Sequence, residues 1–216
     1  MQVTVEKLTT ALKQVREVSP KRKFVQSIDM SIVLGGIDPK KPEGRITEDI
    51  VLPNQFGEPK KVLVFAESEL ARRSREAGAD MVLGRSDIEA LRQDRRRARK
   101  LVAEFDFCIA QADLMVLVGK ALGPILGPKG KMPKPIPPTA NPKPIIERLR
   151  RTLRLTAKDQ AVVHAKIGVE SMNDEQVVAN ARAVLEAVWH RLTEHGGSID
   201  TVKIKTTMGR PVKVGG

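Results

Sequence analysis

The sequence predicts an α/β protein of two domains, an α+β domain formed by both ends of the chain with a second domain of βαβ type inserted into it. Three observations carry this reading. Between residues 60 and 110, apolar strand-like runs alternate with helix-like segments at the spacing of βαβ units and a parallel sheet. The stretch Pro53-Asn54-Gln55-Phe56-Gly57-Glu58-Pro59 breaks the chain before they begin. Charge then divides the chain: residues 59–155 hold 21 Lys and Arg against 11 Asp and Glu, whereas the remainder holds 17 against 15. A basic centre between ends of different character puts the crossings near 53–60 and 150–158. At 216 residues, two domains of roughly 100 residues can each bury a core.

Taken in order, Val5, Leu8, Ala11, Leu12 and Val15 form the i, i+3, i+4, i+7 stripe of a helix over 5–18, with Thr4 placed to cap it and Pro20 beyond its end. From 24 to 34 the period becomes two. Phe24, Ile28, Met30, Ile32 and Leu34 share one face and Ser27, Asp29 and Ser31 the other, which is a half-buried strand. A turn-rich stretch at 38–44 leads to a short strand at 49–52. In the centre, 61–66 predicts a buried strand, 68–77 a helix and 81–83 another strand. Ser86 and Glu89 have the spacing of a capping box ahead of a basic helix running to about 104. Residues 105–110 predict a further strand, and Asp113 stands where it can cap the next helix. The Gly-, Pro- and Lys-rich stretch 123–144 is irregular, and a short helix at 145–151 closes the segment. A strand at 161–167 follows, then a helix at 174–195 with Val177, Ala181, Val184, Val188 and Leu192 on its buried side. Gly196-Gly197 stops that helix, and a last strand runs from 201 to 206.

The formal net charge of +12 predicts a polyanionic partner, because each phosphate neutralised by Lys or Arg releases a condensed counterion. Nucleic acid leads over a membrane surface. The longest apolar candidate, 114–118, is far short of the roughly 20 residues of a membrane span. The chain opens on a polar, helix-patterned segment rather than an apolar leader, which predicts a protein that is not exported. A single cysteine, Cys108, forms no internal disulfide and suits a reducing cytoplasm. With no Tyr, one Trp and five Phe, the chain lacks the stacking platform of single-strand readers, so recognition is expected through backbone contacts and RNA shape.

No catalytic or metal constellation emerges. A phosphate loop needs G-x-x-x-x-G-K-[ST], whereas Ile125 stands five residues before Gly130-Lys131 and Met132 follows them. Gly127-Pro128-Lys129-Gly130 has the outline of a GxxG clamp, but its prolines oppose the helices such a clamp needs. A Rossmann-type nucleotide enzyme needs a Gly-rich turn after its first strand, and here the turn is Glu67-Ser68-Glu69, which repels phosphate. Cys108 lies in an apolar run, as a core cysteine does. His190 and His195 are five apart and do not share a helical face. Arg95-Arg96-Arg97 reads first as a solvated helix face and second as a phosphate contact. On the last strand Lys203, Lys205 and Thr207 alternate outward while Val202, Ile204 and Thr206 point inward. The adjoining Thr207-Met208-Gly209 ends the strand with a glycine that lets a sugar-phosphate backbone approach closely.

KFVQSID at 23–29, AESELARRSREAGAD at 66–80, LVGKALGPILGPKGKMPKP at 117–135, VVHAKIG at 162–168 and KTTMGRP at 205–211 together resemble the ribosomal protein L-one family of the large-subunit side stalk. The resemblance spans about 4–214, and the short N-terminus and KFVQSID are closer to the archaeal than to the bacterial form. It implies a discontinuous RNA-binding domain I (1–58 and 153–216) and an inserted Rossmann-like domain II (59–152). It further implies a structural protein, not an enzyme, that needs no cofactor or metal and works as a monomer off the ribosome and in the cytoplasm on it. Its implied partners are large-subunit rRNA, tRNA leaving the exit site, and its own mRNA, whose translation it would repress. A dedicated repressor acting off the ribosome is the alternative. By position the resemblance assigns RNA contacts to Phe24, Gln26, Ser27, Asp29, His164, Lys166, Lys205, Thr206, Thr207, Met208 and Gly209. It departs at Arg210, which separates Gly209 from Pro211 where bacterial members have Gly-Pro.

Overall fold

The computed structural model describes residues 4–38, 45–157, 160–194 and 196–214. The chain begins with α1 (Val5–Val18), β1 (Ser27–Gly35) and β2 (Ile46–Val51). It continues through β3 (Val62–Phe65), α2 (Ser68–Glu76), β4 (Met81–Leu83), α3 (Arg85–Gln93), α4 (Arg95–Glu104) and β5 (Phe107–Gln111). A 3-10 turn at Ala112–Leu114 leads to α5 (Met115–Leu126), β6 (Lys134–Ile136) and α6 (Pro142–Arg150). β7 (Thr152–Ala157), β8 (Val162–Val169), α7 (Asp174–Glu194), β9 (Ser198–Thr206) and β10 (Val212–Lys213) complete it. These elements divide into two compact units, one of Met1–Glu58 with Arg151–Gly216 and one of Pro59–Arg150. The α/β class and the inserted second unit expected from sequence are what is found.

The discontinuous unit is built on an antiparallel sheet in the order β10-β9-β1-β8. β1 alternates buried and half-buried along its length, and its inward residues Ile28, Met30, Ile32 and Leu34 meet Leu8, Ala11, Leu12 and Val15 of α1 and Val177, Ala181, Val184 and Val188 of α7 in one core. Both helices therefore cover one face and leave the other open. Arg16 of α1 pins the turn before α7: its guanidinium donates to the carbonyls of Glu170 (2.8 Å) and Met172 (2.6 Å) and pairs with Asp174 (2.8 Å). A two-stranded ladder of β2 and β7 packs on the same core, with Arg154 forked onto its cross-strand partner Asp49 at 2.7 and 3.2 Å.

The inserted unit carries a parallel sheet in the order β4-β3-β5-β6. Leu63, Phe65, Cys108 and Ala110 face α3, α4 and α5, while Val62, Val64, Phe107 and Ile109 face α2 and α6. Burial on both faces is why β3 and β5 read as unbroken apolar runs.

Several local expectations change. Phe24 lies outside β1 and is exposed, because the strand begins only where pairing with β8 and β9 begins. The second strand starts at Ile46 rather than 49, and β7, its partner, carries too little alternation to be seen in advance. The basic helix is two helices. Asp94 ends α3 and caps α4, accepting Arg96 N and Arg97 N on Oδ1 at 3.0 Å each. α3 begins one residue before Ser86, and it is Asp87 that accepts Gly84 N, at 3.0 Å. Thr4 stands at the N-cap of α1 without a side-chain bond. Asp113 sits in the 3-10 turn and accepts from Gln111 at 3.1 Å instead of capping α5, and α5 runs into the stretch expected to be irregular, with Pro124 in its last turn. The turn at 39–44 and His195 lie outside the described residues.

Candidate nucleic-acid interface

The residues singled out from sequence gather on the open face of the β10-β9-β1-β8 sheet and at one end of it. Register places Asp29 of β1 opposite Lys166 of β8 and opposite Lys205 of β9, so a row across three strands reads Lys166, Asp29, Lys205. The adjacent row is His164, Ser31, Lys203, and Lys213 of β10 stands opposite Lys203. Ser31 Oγ and His164 Nδ1 are 3.0 Å apart.

A bulge puts these side chains on one side. Ile28 faces Gly168 but Asp29 faces Lys166, which leaves Ile167 as an extra residue. Ile167 and Gly168 are buried in succession, and His164 and Lys166 turn to the open face. The Ile167 carbonyl, freed from the ladder, accepts Asn180 Nδ2 at 2.9 Å, and Asn180 Oδ1 accepts Asn54 N at 3.0 Å. Asn180 is fully buried in α7, so this amide spans two backbones that would otherwise lack partners. The Lys166 side chain crosses Gly57, where a Cβ would stand 2.8 Å from its Nζ and where φ is +132°. The φ calls for glycine there, whereas the lysine ammonium, at the end of a flexible side chain, could swing aside from a larger residue.

Asp29 is the acid of this basic face. Burial raises its carboxyl pKa above the ordinary value, and the charges of Lys166, Lys205 and His164 pull it partly back. A carboxylate with a raised native pKa holds its proton more tightly folded than unfolded, so its contribution to stability declines as pH rises from 3.8, its ordinary value, through the folded one. The Asp29→Asn protein lacks that loss. Its melting temperature relative to the parent is expected to climb as pH rises above 3.8 and to level off once the folded carboxyl has ionised, and a difference that stays constant with pH would remove the effect.

At the end of the sheet the chain turns through Thr207, Met208 and Gly209. Gln26, fully buried, holds this tip: Nε2 donates to the Pro20 carbonyl at 2.9 Å and Oε1 accepts Met208 N at 3.1 Å. Thr206 is buried as well, its hydroxyl 2.6 Å from Ser19 Oγ. Gln26 and Thr206, which the resemblance placed among the contacts, thus lie beneath the surface and position the residues above them. Thr207 is exposed; its Oγ1 accepts Ser27 N at 3.0 Å, which leaves the hydroxyl proton for Ser27 Oγ at 3.3 Å, for the Ser27 carbonyl at 3.4 Å or for an outside acceptor. Gly209 is required within the protein too, since a Cβ would come 2.3 Å from Thr206 Oγ1. Met208 and Phe24 are 55% and 51% exposed, enough to offer apolar surface to a partner.

Ser31 and Lys203, which the strand periods had turned outward, join the arrangement, and Lys213, Ser19 and Asn180, not singled out from sequence, complete it. Asn180 alone had a signal, an amide within the apolar stripe of Val177, Ala181 and Val184. Among the described residues, no group of three or more His, Cys, Asp or Glu stands close enough to hold a metal, and no helix is long and apolar enough to cross a membrane.

A sequence model of the family described as "Ribosomal protein L1p/L10e family" matches residues 12–210. The chain is 42% identical over 209 residues to the large ribosomal subunit protein uL1 of Methanothermobacter thermautotrophicus, covering 97% of this chain and 99% of the relative. It is 41% identical over 214 residues to the protein of that name from Archaeoglobus fulgidus (99% and 100% covered). The same name belongs to a Methanopyrus kandleri relative, 44% identical over 214 residues.

Proposed function

The chain belongs to the ribosomal protein L1p/L10e family, as an archaeal-like member, and on that premise we propose that it binds large-subunit rRNA through the open sheet face and tip of its discontinuous unit. The observation that carries the reading is the Lys166, Asp29, Lys205 row running into the tip of Thr207, Met208 and Gly209. Lys205 and Lys166 contact phosphates. Asp29, Ser31 and Thr207 exchange hydrogen bonds with 2′-hydroxyls, which distinguish RNA from DNA. Met208 and Phe24 pack on sugar and base surfaces. The discontinuous unit, divided from the insert as domain I (1–58 and 153–216) and domain II (59–152), carries the specific site. Held there, the protein forms the mobile stalk of the cytoplasmic ribosome that assists deacylated tRNA out of the exit site. The same surface represses its own mRNA where that RNA offers a similar structure, and the protein is a monomer when free. No catalysis is part of this reading.

Binding to a large-subunit rRNA fragment and to a random duplex, measured over a salt series, tests it. The parent is expected to prefer the rRNA fragment. Thr207→Ala should lose about 1–3 kcal/mol of that binding with its melting temperature nearly unchanged, and Lys205→Ala should make the salt slope shallower by about one. A Thr207→Ala protein that melts lower but binds as well as the parent would make the tip structural only.

A further inference from the structure

In the inserted unit, well separated in sequence from the interface above, α4 carries a concentration of charge that opposes its own folding. Its inward side is Ala98 and Val102. Outward stand Arg95, Arg96, Arg97, Arg99 and Lys100, all exposed, with Arg92 exposed near the end of α3. On the other face of the parallel sheet α2 is also rich in arginine, but there Arg72 and Arg73 lie 2.9 and 3.0 Å from Glu69. Among the described residues, none of the six cations of the α3–α4 surface is paired with a carboxylate. Asp94 is committed through Oδ1 to the backbone of Arg96 and Arg97, and the helix's own acid, Glu104, lies at its far end.

Three arrangements make this surface costly. Arg95, Arg96 and Arg97 fill the first turn, where the helix dipole disfavours cations. Arg95 and Arg99, and Arg96 and Lys100, are like charges four apart on one helix, which repel. The far end, where cations would help, is already served by Lys131, whose Nζ donates to the carbonyls of Val102 (3.1 Å) and Phe105 (2.5 Å). Local rules broken together on an exposed surface point to a bound partner that relieves them.

We infer that the outer face of α4 with Arg92 is a second polyanion surface, which takes the sugar-phosphate backbone of RNA without regard to base sequence. Five of its six cations are arginine, whose planar fork suits phosphate oxygens bidentately. Aromatic rings to stack on bases are absent from its exposed positions, and Gln93 is the single neutral polar side chain among them, so base edges go unread. A lipid surface would call for bulky apolar groups beside the charges, and the exposed large apolar residues of the unit, Met81, Val116 and Met132, are not on α4.

The test uses the full chain with Arg96→Gln, Arg99→Gln and Lys100→Gln together, and a control with Arg72→Gln, Arg73→Gln and Arg75→Gln that removes the same charge from α2. On a random RNA duplex, the logarithm of affinity against the logarithm of salt should become shallower by about two to three for the α4 variant and by less than one for the control. The α4 variant should melt at the parent's temperature or above it, because repulsion has been relieved. An unchanged slope, or equal changes in both variants, would overturn the inference. So would an α4 variant that keeps its RNA slope but no longer binds phosphatidylserine vesicles. A parent with no preference for the rRNA fragment would count against the proposed function instead, and the slopes on the duplex would still decide the role of α4.

Discussion

Replacing Gly209 by valine is expected to lower affinity for the rRNA fragment by ten- to a hundredfold, about 1.4–2.8 kcal/mol, and to cost about 1–3 kcal/mol of stability as an overpacked site does. The cause is internal: the first added carbon meets Thr206 Oγ1 at 2.3 Å, and moving that hydroxyl breaks its 2.6 Å contact with Ser19 at the end of α1. A double-mutant cycle isolates this cause. Thr206→Ala combined with Gly209→Ala removes the obstructing oxygen, so the pair should be less damaging than the sum of the single changes. Strict additivity in binding and melting would show that Gly209 matters through its outer surface instead.

The second large effect is expected at Gln26. Truncation to alanine empties a buried position and leaves the half-buried Pro20 carbonyl and Met208 N without these partners, at about 1–3 kcal/mol for each group that water cannot reach. The melting temperature should fall clearly, since that sum is a large part of a domain's usual 5–15 kcal/mol. Affinity in the molecules that remain folded should fall at least tenfold, because Met208 loses the bond that fixes the tip. Gln26→Ala with lowered melting and parental affinity would detach the tip from RNA recognition.

Gln26 also shows where sequence reading ends. The resemblance placed Gln26 among the contacts, and the buried site it occupies is completed by Met208, remote in the chain and brought to it by the pairing of β1 with β9. The stripe of α1, the alternation of β1 and β9 and the apolar runs of β3 and β5 were legible because each encodes its own burial period. The bulge at Ile167 was not, since two successive buried residues look like any short apolar run until the partner strand fixes the register. β7 escaped for a related reason: Leu153, Leu155 and Ala157 are buried, but Thr152 is buried as well and Arg154 half so, and its pairing with β2 crosses the whole insertion. The break at Asp94 did carry a signal. An aspartate ahead of three arginines is a good N-cap, and the basic run concealed it.

The centre of the antiparallel sheet has a consequence for synthesis. β1 is paired on both edges by strands made much later, β8 and β9, and roughly 130 residues separate its end at Gly35 from Val162. At about 5–20 residues per second of translation, a strand bearing Ile28, Met30, Ile32 and Leu34 emerges and waits roughly 6–25 seconds with both hydrogen-bonding edges open. The inserted unit, contiguous in the chain, has all its strands available before that wait is over. On a translating ribosome the insert is therefore the first part able to fold, and the antiparallel sheet closes only once β8 and β9 have been made.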